Sequence, residues 1–262
     1  MKVAFWSGAG LTDSVPNYMA AIGTMLALEH QCMVVLGSNY LSNRMLQDCF
    51  FSKIKEEGIA HAPYIYLHGS PEYHAELWSM KRNRQGDVLE VPMEDVTIIY
   101  PPDVGEKRMF YYDIPQTAFY LLDIAGESSA AFQSALDEAD VVVVFLSQNV
   151  TEIQNFLERF SSLIPKTLFI IEACLQNNRY SQRDFSAKYG IDIRNIGIIP
   201  HNTIFTEACE EGRLEFFLKQ NLNPSAKNLQ ENFMSKLKNI TSLLYERNTY
   251  HEKKEPANDH TF

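Results

Sequence analysis

The chain has 262 residues, 45% hydrophobic and 21% charged, with a formal net charge of −10 and a pI near 5.2. This is an ordinary globular composition, and no linker, repeat or low-complexity tract divides the chain, so one large α/β domain is expected. The acidic balance argues against unaided binding to nucleic acid, whose phosphates demand a basic face, and against an anionic membrane surface.

Lys2–Trp6 reads as a first strand, and the chain enters it directly, with no charged-then-apolar leader. The loop Ser7–Asn17, SGAGLTDSVPN, follows with glycines, hydroxyls and a helix-start signal, and Tyr18–Glu29 is a small-residue helix able to pack closely on a sheet. Met33–Leu36 is a second strand, so the first 40 residues make a βαβ unit. Asn43–Glu57 is expected to be helical, with Gly58 as its stop. From 59 to 117 the periodicity weakens; Tyr64–Leu67 and Val96–Tyr100 read as strands, Glu72–Lys81 as a helix and Pro101–Asp103 as a turn. The basic run Lys81–Arg84 is read as a solvated loop.

Residues 118–149 form the centre of the pattern. Ala118–Ile124 and Val141–Leu146 are continuous apolar runs, as expected of parallel strands buried on both faces, and Ala130–Ala139 between them is helix-like. Thr151–Phe160 fits an amphipathic helix capped by Thr151 or Asn149, Thr167–Ile171 a buried strand, Ser181–Tyr189 a helix stopped by Gly190, and Ile196–Ile199 the last parallel strand. Helices around Thr206–Gly212 and Phe216–Lys219 come next. In the final segment, Ala226–Arg247, the residues Leu229, Phe233, Leu237, Ile240 and Leu244 make an apolar stripe. A helix closing over its own sheet is the expected outcome, with contact to a membrane or a partner as the alternative. The boundaries are then 1–225 for the α/β domain, 59–117 for a divergent segment within it, 226–247 for the closing helix and 248–262 for a disordered tail. The alternation of strands and helices predicts a doubly wound, mostly parallel sheet.

Ligands of such sheets bind beyond the carboxyl ends of the strands, where Asp123, Gly126, Ser147 and Asn149 fall. In the first loop, Gly8 and Gly10 allow close approach of backbone N–H groups, and Thr12 and Ser14 offer hydroxyls. A phosphoryl-transfer loop also needs a lysine on the phosphates, but no lysine lies between Lys2 and Lys53 and Asp13 places a negative charge in the loop. Taken alone, SGAGLTDSVPN is therefore read as a simple βα turn in preference to a phosphate-binding loop. Asp123 followed by Gly126 matches a DxxG element that senses a γ-phosphate, and also matches a plain strand-end acid. The histidines form no HExxH or HxH arrangement, no GxSxG is present, and no metal site is expected. Cys32, Cys49, Cys174 and Cys209 are scattered without a CxxC pair and read as reduced, buried thiols of a cytoplasmic protein.

The order of the elements is more telling than any single motif. The glycine loop, LLDIAG, EADVVVVFLSQNVTEIQNFLERF and IGIIPHNTIFTEACEEGRLEFFL together resemble the ParA/MinD superfamily of deviant P-loop ATPases, from Met1 to about Gln220. The likeness is nearest to divergent ParA-like proteins of Gram-positive bacteria, with pilus-localisation relatives of the TadZ/CpaE type as a functional analogy. It implies a single-domain P-loop fold, ATP or ADP with Mg²⁺ as cofactor, and a homodimer with protein partners. It also implies Asp123 as switch aspartate, Gly126 as switch glycine, Asn149 after the next strand, and Pro200 and Asn202 in the turn against the base. The family's KGGxGK[ST] loop has no counterpart in SGAGLTDSVPN. The leading expectation is a pseudo-ATPase acting in localisation or assembly through protein contacts. The alternatives are an active ATPase whose lysine comes from elsewhere, such as Lys53 or a dimer partner, and an unrelated metabolic α/β enzyme using the same crevice.

Overall fold

The computed structural model describes residues 1–7, 14–38, 45–50, 64–68, 88–89, 96–99, 118–124, 130–146, 149–173, 181–222 and 229–252. In chain order the strands are β1 (Lys2–Ser7), β2 (Met33–Ser38), β3 (Tyr64–His68), β4 (Val88–Leu89), β5 (Val96–Ile99), β6 (Phe119–Asp123), β7 (Val141–Leu146), β8 (Thr167–Ala173) and β9 (Ile196–Pro200). They form one sheet in the order β4-β5-β3-β2-β6-β1-β7-β8-β9. From β2 to β9 all pairings are parallel, while β3, β5 and β4 extend the sheet beyond β2 in antiparallel pairs. The expected mostly parallel sheet is therefore the observed one. The two-residue β4 was not anticipated, because so short a pairing carries no periodic signal. The helix expected over 72–81, the turn at 101–103 and the tail beyond Glu252 lie outside the described residues.

The helices are α1 (Val15–His30), α2 (Met45–Asp48), α3 (Ala130–Glu138), α4 (Val150–Arg159), α5 (Gln182–Tyr189), α6 (Thr203–Glu210), α7 (Leu214–Asn221) and α8 (Leu229–Glu252). Alternate residues of each central strand enter two separate cores. Val3, Phe5, Phe119, Leu121, Val143, Phe145, Leu168 and Ile170 pack beneath α1, α2, α6, α7 and α8. Ala4, Trp6, Tyr120, Leu122, Val142, Val144, Phe169 and Ile171 pack beneath α3, α4 and α5. Period-2 side-chain alternation together with helices on both faces explains why these strands read as unbroken apolar runs.

Helix ends follow local chemistry. The Asn149 side chain accepts from the Thr151 backbone N–H at 3.0 Å, so Asn149 caps α4 and Thr151 lies inside it. Ser181 and Asp184 form a reciprocal capping box on α5, which ends at Gly190 in the left-handed region with φ 67°. Lys166 donates to the carbonyls of Leu136 at 2.7 Å and Ala139 at 2.9 Å, placing a cation at the negative end of α3. The helix expected over 43–57 is corrected within 45–50, while 43–44 and 51–57 lie outside the described residues. A single turn, Met45–Asp48, gives way to a turn at Cys49 and Phe50, which are both buried. The Cys49 carbonyl accepts from the Leu214 N–H at 3.2 Å, tying this turn to the start of α7.

The C-terminal stripe faces inward. Phe233, Leu237, Ile240 and Leu244 are buried against the α1 side of the sheet, and Lys238 of α8 pairs with Glu29 of α1 at 2.8 Å. The helix runs past Arg247 to Glu252. Among the described residues no helix is long and apolar enough to cross a membrane.

Gly23 shows how closely α1 sits on the sheet. A Cβ there would lie 2.7 Å from Leu36 Cδ2 and 3.3 Å from both Leu121 Cδ1 and Val34 Cγ1. We expect Gly23→Val to cost about 1–3 kcal/mol through overpacking, read as a lower urea midpoint. An unchanged midpoint would show that α1 does not pack this tightly.

Candidate functional site

Three polar side chains interrupt the apolar strands at their C-terminal edge on the α1 face. Val3 and Phe5 of β1, Phe119 and Leu121 of β6, and Leu168 and Ile170 of β8 all belong to the α1-side core. Continuing each alternation by two residues brings Ser7, Asp123 and Glu172 to that same face. Asp123 lies across from Phe5 on one side and Ser38 on the other, and is only 6% exposed. The expected switch aspartate is thus a buried strand-end acid beside the C-terminal end of β1.

Helix α1 begins at the same edge. Ser14 precedes it in the right-handed helical region, its side chain does not cap the helix, and its carbonyl accepts from the Tyr18 N–H at 3.1 Å. No acidic residue occupies the first turn and Pro16 supplies no N–H, so the positive helix end and its other N–H groups lie at this edge of the sheet. Gly8, Gly10, Thr12, Gly126 and Ser147 lie outside the described residues.

At the far side of the edge, Glu172 gathers two partners distant in sequence. Tyr18 donates its hydroxyl to Glu172 Oε1 at 3.0 Å, and His201 Nδ1 meets the same oxygen at 3.2 Å. A carboxylate oxygen only accepts, so Nδ1 carries the proton in this contact. Tyr18 is stacked between Phe145 and Phe205, at ring-centroid distances of 5.3 and 5.4 Å. Burial, and then the charge of Glu172, push its hydroxyl well above the ordinary tyrosine range, so Tyr18 remains a donor at any working pH. Pro200 ends β9 opposite Ala173, and Asn202 caps α6 by accepting from the Phe205 N–H at 3.0 Å. Glu172, His201, Pro200 and Asn202 therefore share one corner, while Asp123 and Ser14 lie towards β1 and Asn149 follows β7.

Tyr18 and Glu172 were missed by the sequence reading. The signal for Glu172 was present, since TLFIIEA closes an apolar run on an acid just as FYLLD does at Asp123. Beneath the corner, the Cys49 thiol donates to Asn17 Oδ1 at 3.3 Å. Its hydrogen bond with the Cys209 thiol and its burial push it well above the ordinary thiol range. Cys32, Cys49 and Cys209 are buried, as expected, and Cys174 lies outside the described residues. Among the described residues no group of three His, Cys, Asp or Glu side chains could hold a metal ion.

No protein-family model and no curated protein sequence matches this chain. Solved structures do. MinD in the MinC:MinD cell-division complex of Aquifex aeolicus aligns at TM-score 0.58 and 15% identity, over 94% of this chain and 95% of that one. A ParA family ATPase from Chlorobium tepidum aligns at TM-score 0.57 and 13% identity, over 92% and 98%. The septum site-determining protein MinD of Pyrococcus horikoshii, solved with Mg-ADP, aligns at TM-score 0.57 and 13% identity, over 94% and 98%. The chain has the fold of the ParA/MinD ATPases, as the order of its motifs implied.

Proposed function

We propose that this chain is a ParA/MinD-like localisation or assembly factor that works through protein contacts, holding a nucleotide as a structural or regulatory ligand without turning it over. The observation that carries the reading is a lysine-free first loop set into an intact ParA/MinD fold. Gly8, Gly10, Thr12 and Ser14 would bring backbone N–H groups and hydroxyls to the phosphates at the start of α1. Asp123 would sit beside Mg²⁺, with Gly126 following it in the chain, and Asn149, Pro200 and Asn202 would border the remainder of the crevice. A bound Mg²⁺ would supply charge neutralisation at the phosphates. Without a loop lysine, the chain lacks much of the charge stabilisation that a transferring phosphoryl group requires. Homodimerisation and capture of a protein partner belong to the same proposal.

The test is a thermal-shift titration of the full chain with ATP, ADP and GTP, each with and without Mg²⁺, alongside a phosphate-release assay. A nucleotide at a hundred times its Kd adds about 2.7 kcal/mol of stability. The expected result is stabilisation with no phosphate release above background. Release that disappears in Asp123→Ala would overturn the reading in favour of an active ATPase, which the buried Asp123 beside β1 would then serve. Absence of any shift would remove nucleotide from the proposal.

A further inference from the structure

We propose that Cys49 and Cys209 are a peroxide-sensitive disulfide pair, a modification site that joins the turn after α2 to the end of α6 and unsettles the first turn of α1. The pair stands whether or not the crevice holds a nucleotide.

The backbone brings these two cysteines together from distant parts of the chain. Cys49 directly follows α2, and Cys209 lies in the last turn of α6. The Cys209 carbonyl accepts from the Gly212 N–H at 3.2 Å, which closes the end of α6, and the Leu214 N–H then donates to the Cys49 carbonyl at 3.2 Å. Both side chains belong to the α1-side core, Cys49 fully buried and Cys209 1% exposed. There the two thiols meet in a hydrogen bond, and neither is in a disulfide. Closing one from hydrogen-bond contact asks for side-chain rotation and a small approach of two segments that a backbone bond already joins. Cys32 lies at the other end of α1, where its thiol donates to the His30 carbonyl at 3.6 Å.

Hydrogen peroxide is the oxidant, and it is small enough to reach a buried pair during local opening. One sulfur, its proton released, attacks a peroxide oxygen. The O–O bond breaks, and the departing hydroxide takes up that proton as water, leaving a sulfenic acid. The second sulfur attacks the sulfenic sulfur, the S–O bond breaks, and the hydroxyl leaves with the second thiol proton as another water. Two thiols are thereby oxidised to one disulfide while the peroxide is reduced to water.

The consequence reaches α1. In the reduced chain the Cys49 thiol donates to Asn17 Oδ1 at 3.3 Å, and Asn17, in the first turn of α1, is only 6% exposed. A disulfide carries no S–H, so that oxygen loses its donor where water does not readily replace it. Hydrogen bonding to Cys209 and burial hold the Cys49 thiol protonated, which preserves the Asn17 bond and slows oxidation. The pair therefore closes under sustained peroxide exposure, the pattern of a redox-sensing disulfide rather than a permanent one.

The experiment treats the full-length chain with hydrogen peroxide, maps its peptides without reduction, and follows amide hydrogen exchange on the same samples. The expected result is loss of two of the four thiols, with the Cys49 and Cys209 peptides joined until dithiothreitol is added. Exchange at the Tyr18 N–H, which bonds the Ser14 carbonyl at the start of α1, should speed up about tenfold or more and recover on reduction. Cys32→Ser should keep both responses. Cys49→Ser retains a hydroxyl donor for Asn17 and should abolish both. A link through Cys32 or Cys174, sulfinic acid at Cys49 or Cys209 without a link, or no reaction at all overturns the pair. A Cys49–Cys209 link with unchanged exchange at Tyr18 overturns its coupling to α1. The wild-type map and exchange decide these outcomes even where a variant does not fold.

Discussion

Replacing Trp6 by alanine is expected to lower the free energy of unfolding by about 3–5 kcal/mol, measured by urea titration with an unchanged slope. Trp6 is the aromatic centre of the core beneath α3 and α4, 3% exposed, with its ring centroid 5.3 Å from Phe132, 5.2 Å from Phe156 and 4.7 Å from Phe160. Those neighbours are themselves tied to each other and to Phe169, with Phe156 and Phe169 edge-to-face at 5.7 Å. Alanine leaves a cavity that rings fixed on β8 and two helices cannot collapse to fill. Domains of this kind hold only about 5–15 kcal/mol in total, so the variant should be marginal at room temperature. A loss below about 1 kcal/mol would mean that this core is looser than described.

The second large effect is on the opposite face. Phe145→Ala is expected to cost a similar 3–5 kcal/mol, because Phe145 is fully buried between Phe5 at 6.3 Å and Tyr18 at 5.3 Å. Unlike Trp6, it also supports the candidate site. Removing it frees one side of the Tyr18 ring, whose hydroxyl holds Glu172. Phe145→Ala should therefore weaken nucleotide binding at temperatures where the variant is still folded, and Trp6→Ala should not. Calorimetric titration of both variants well below their melting temperatures separates the two. Equal binding by the two variants would disconnect Phe145 from the site.

These effects place the functional question on one edge of one sheet. The fold of a ParA/MinD ATPase is present from β1 to α8, while the loop that follows β1 has no lysine to stabilise a transferring phosphate. Fold alone does not fix the activity. At the far corner of that edge Glu172 meets Tyr18 of α1 and His201 of the turn after β9.

The central strands, most of the helices and their burial were legible in the sequence by itself. Unbroken runs such as VVVVFL and FYLLD read as strands covered on both faces, and the stripe Phe233, Leu237, Ile240 and Leu244 as a helix with one apolar side, and both are buried that way. The sequence also determined the absence of the loop lysine and the place of Asp123 at a strand end. These features are local, since they depend on side-chain period and on residues within a few positions. What only the tertiary structure decided is which distant residues meet. Tyr18 and Glu172 are 154 positions apart, and Glu172 and His201 29 apart. Their meeting follows from strand order, from the β8–β9 register that sets Ala173 beside Pro200, and from the seating of α1 across the sheet. The hydrogen bond from Leu214 to the Cys49 carbonyl is of the same kind, since it joins residues far apart in the chain. Local periodicity encodes which face of an element is buried, but it carries no information about the neighbour that covers that face.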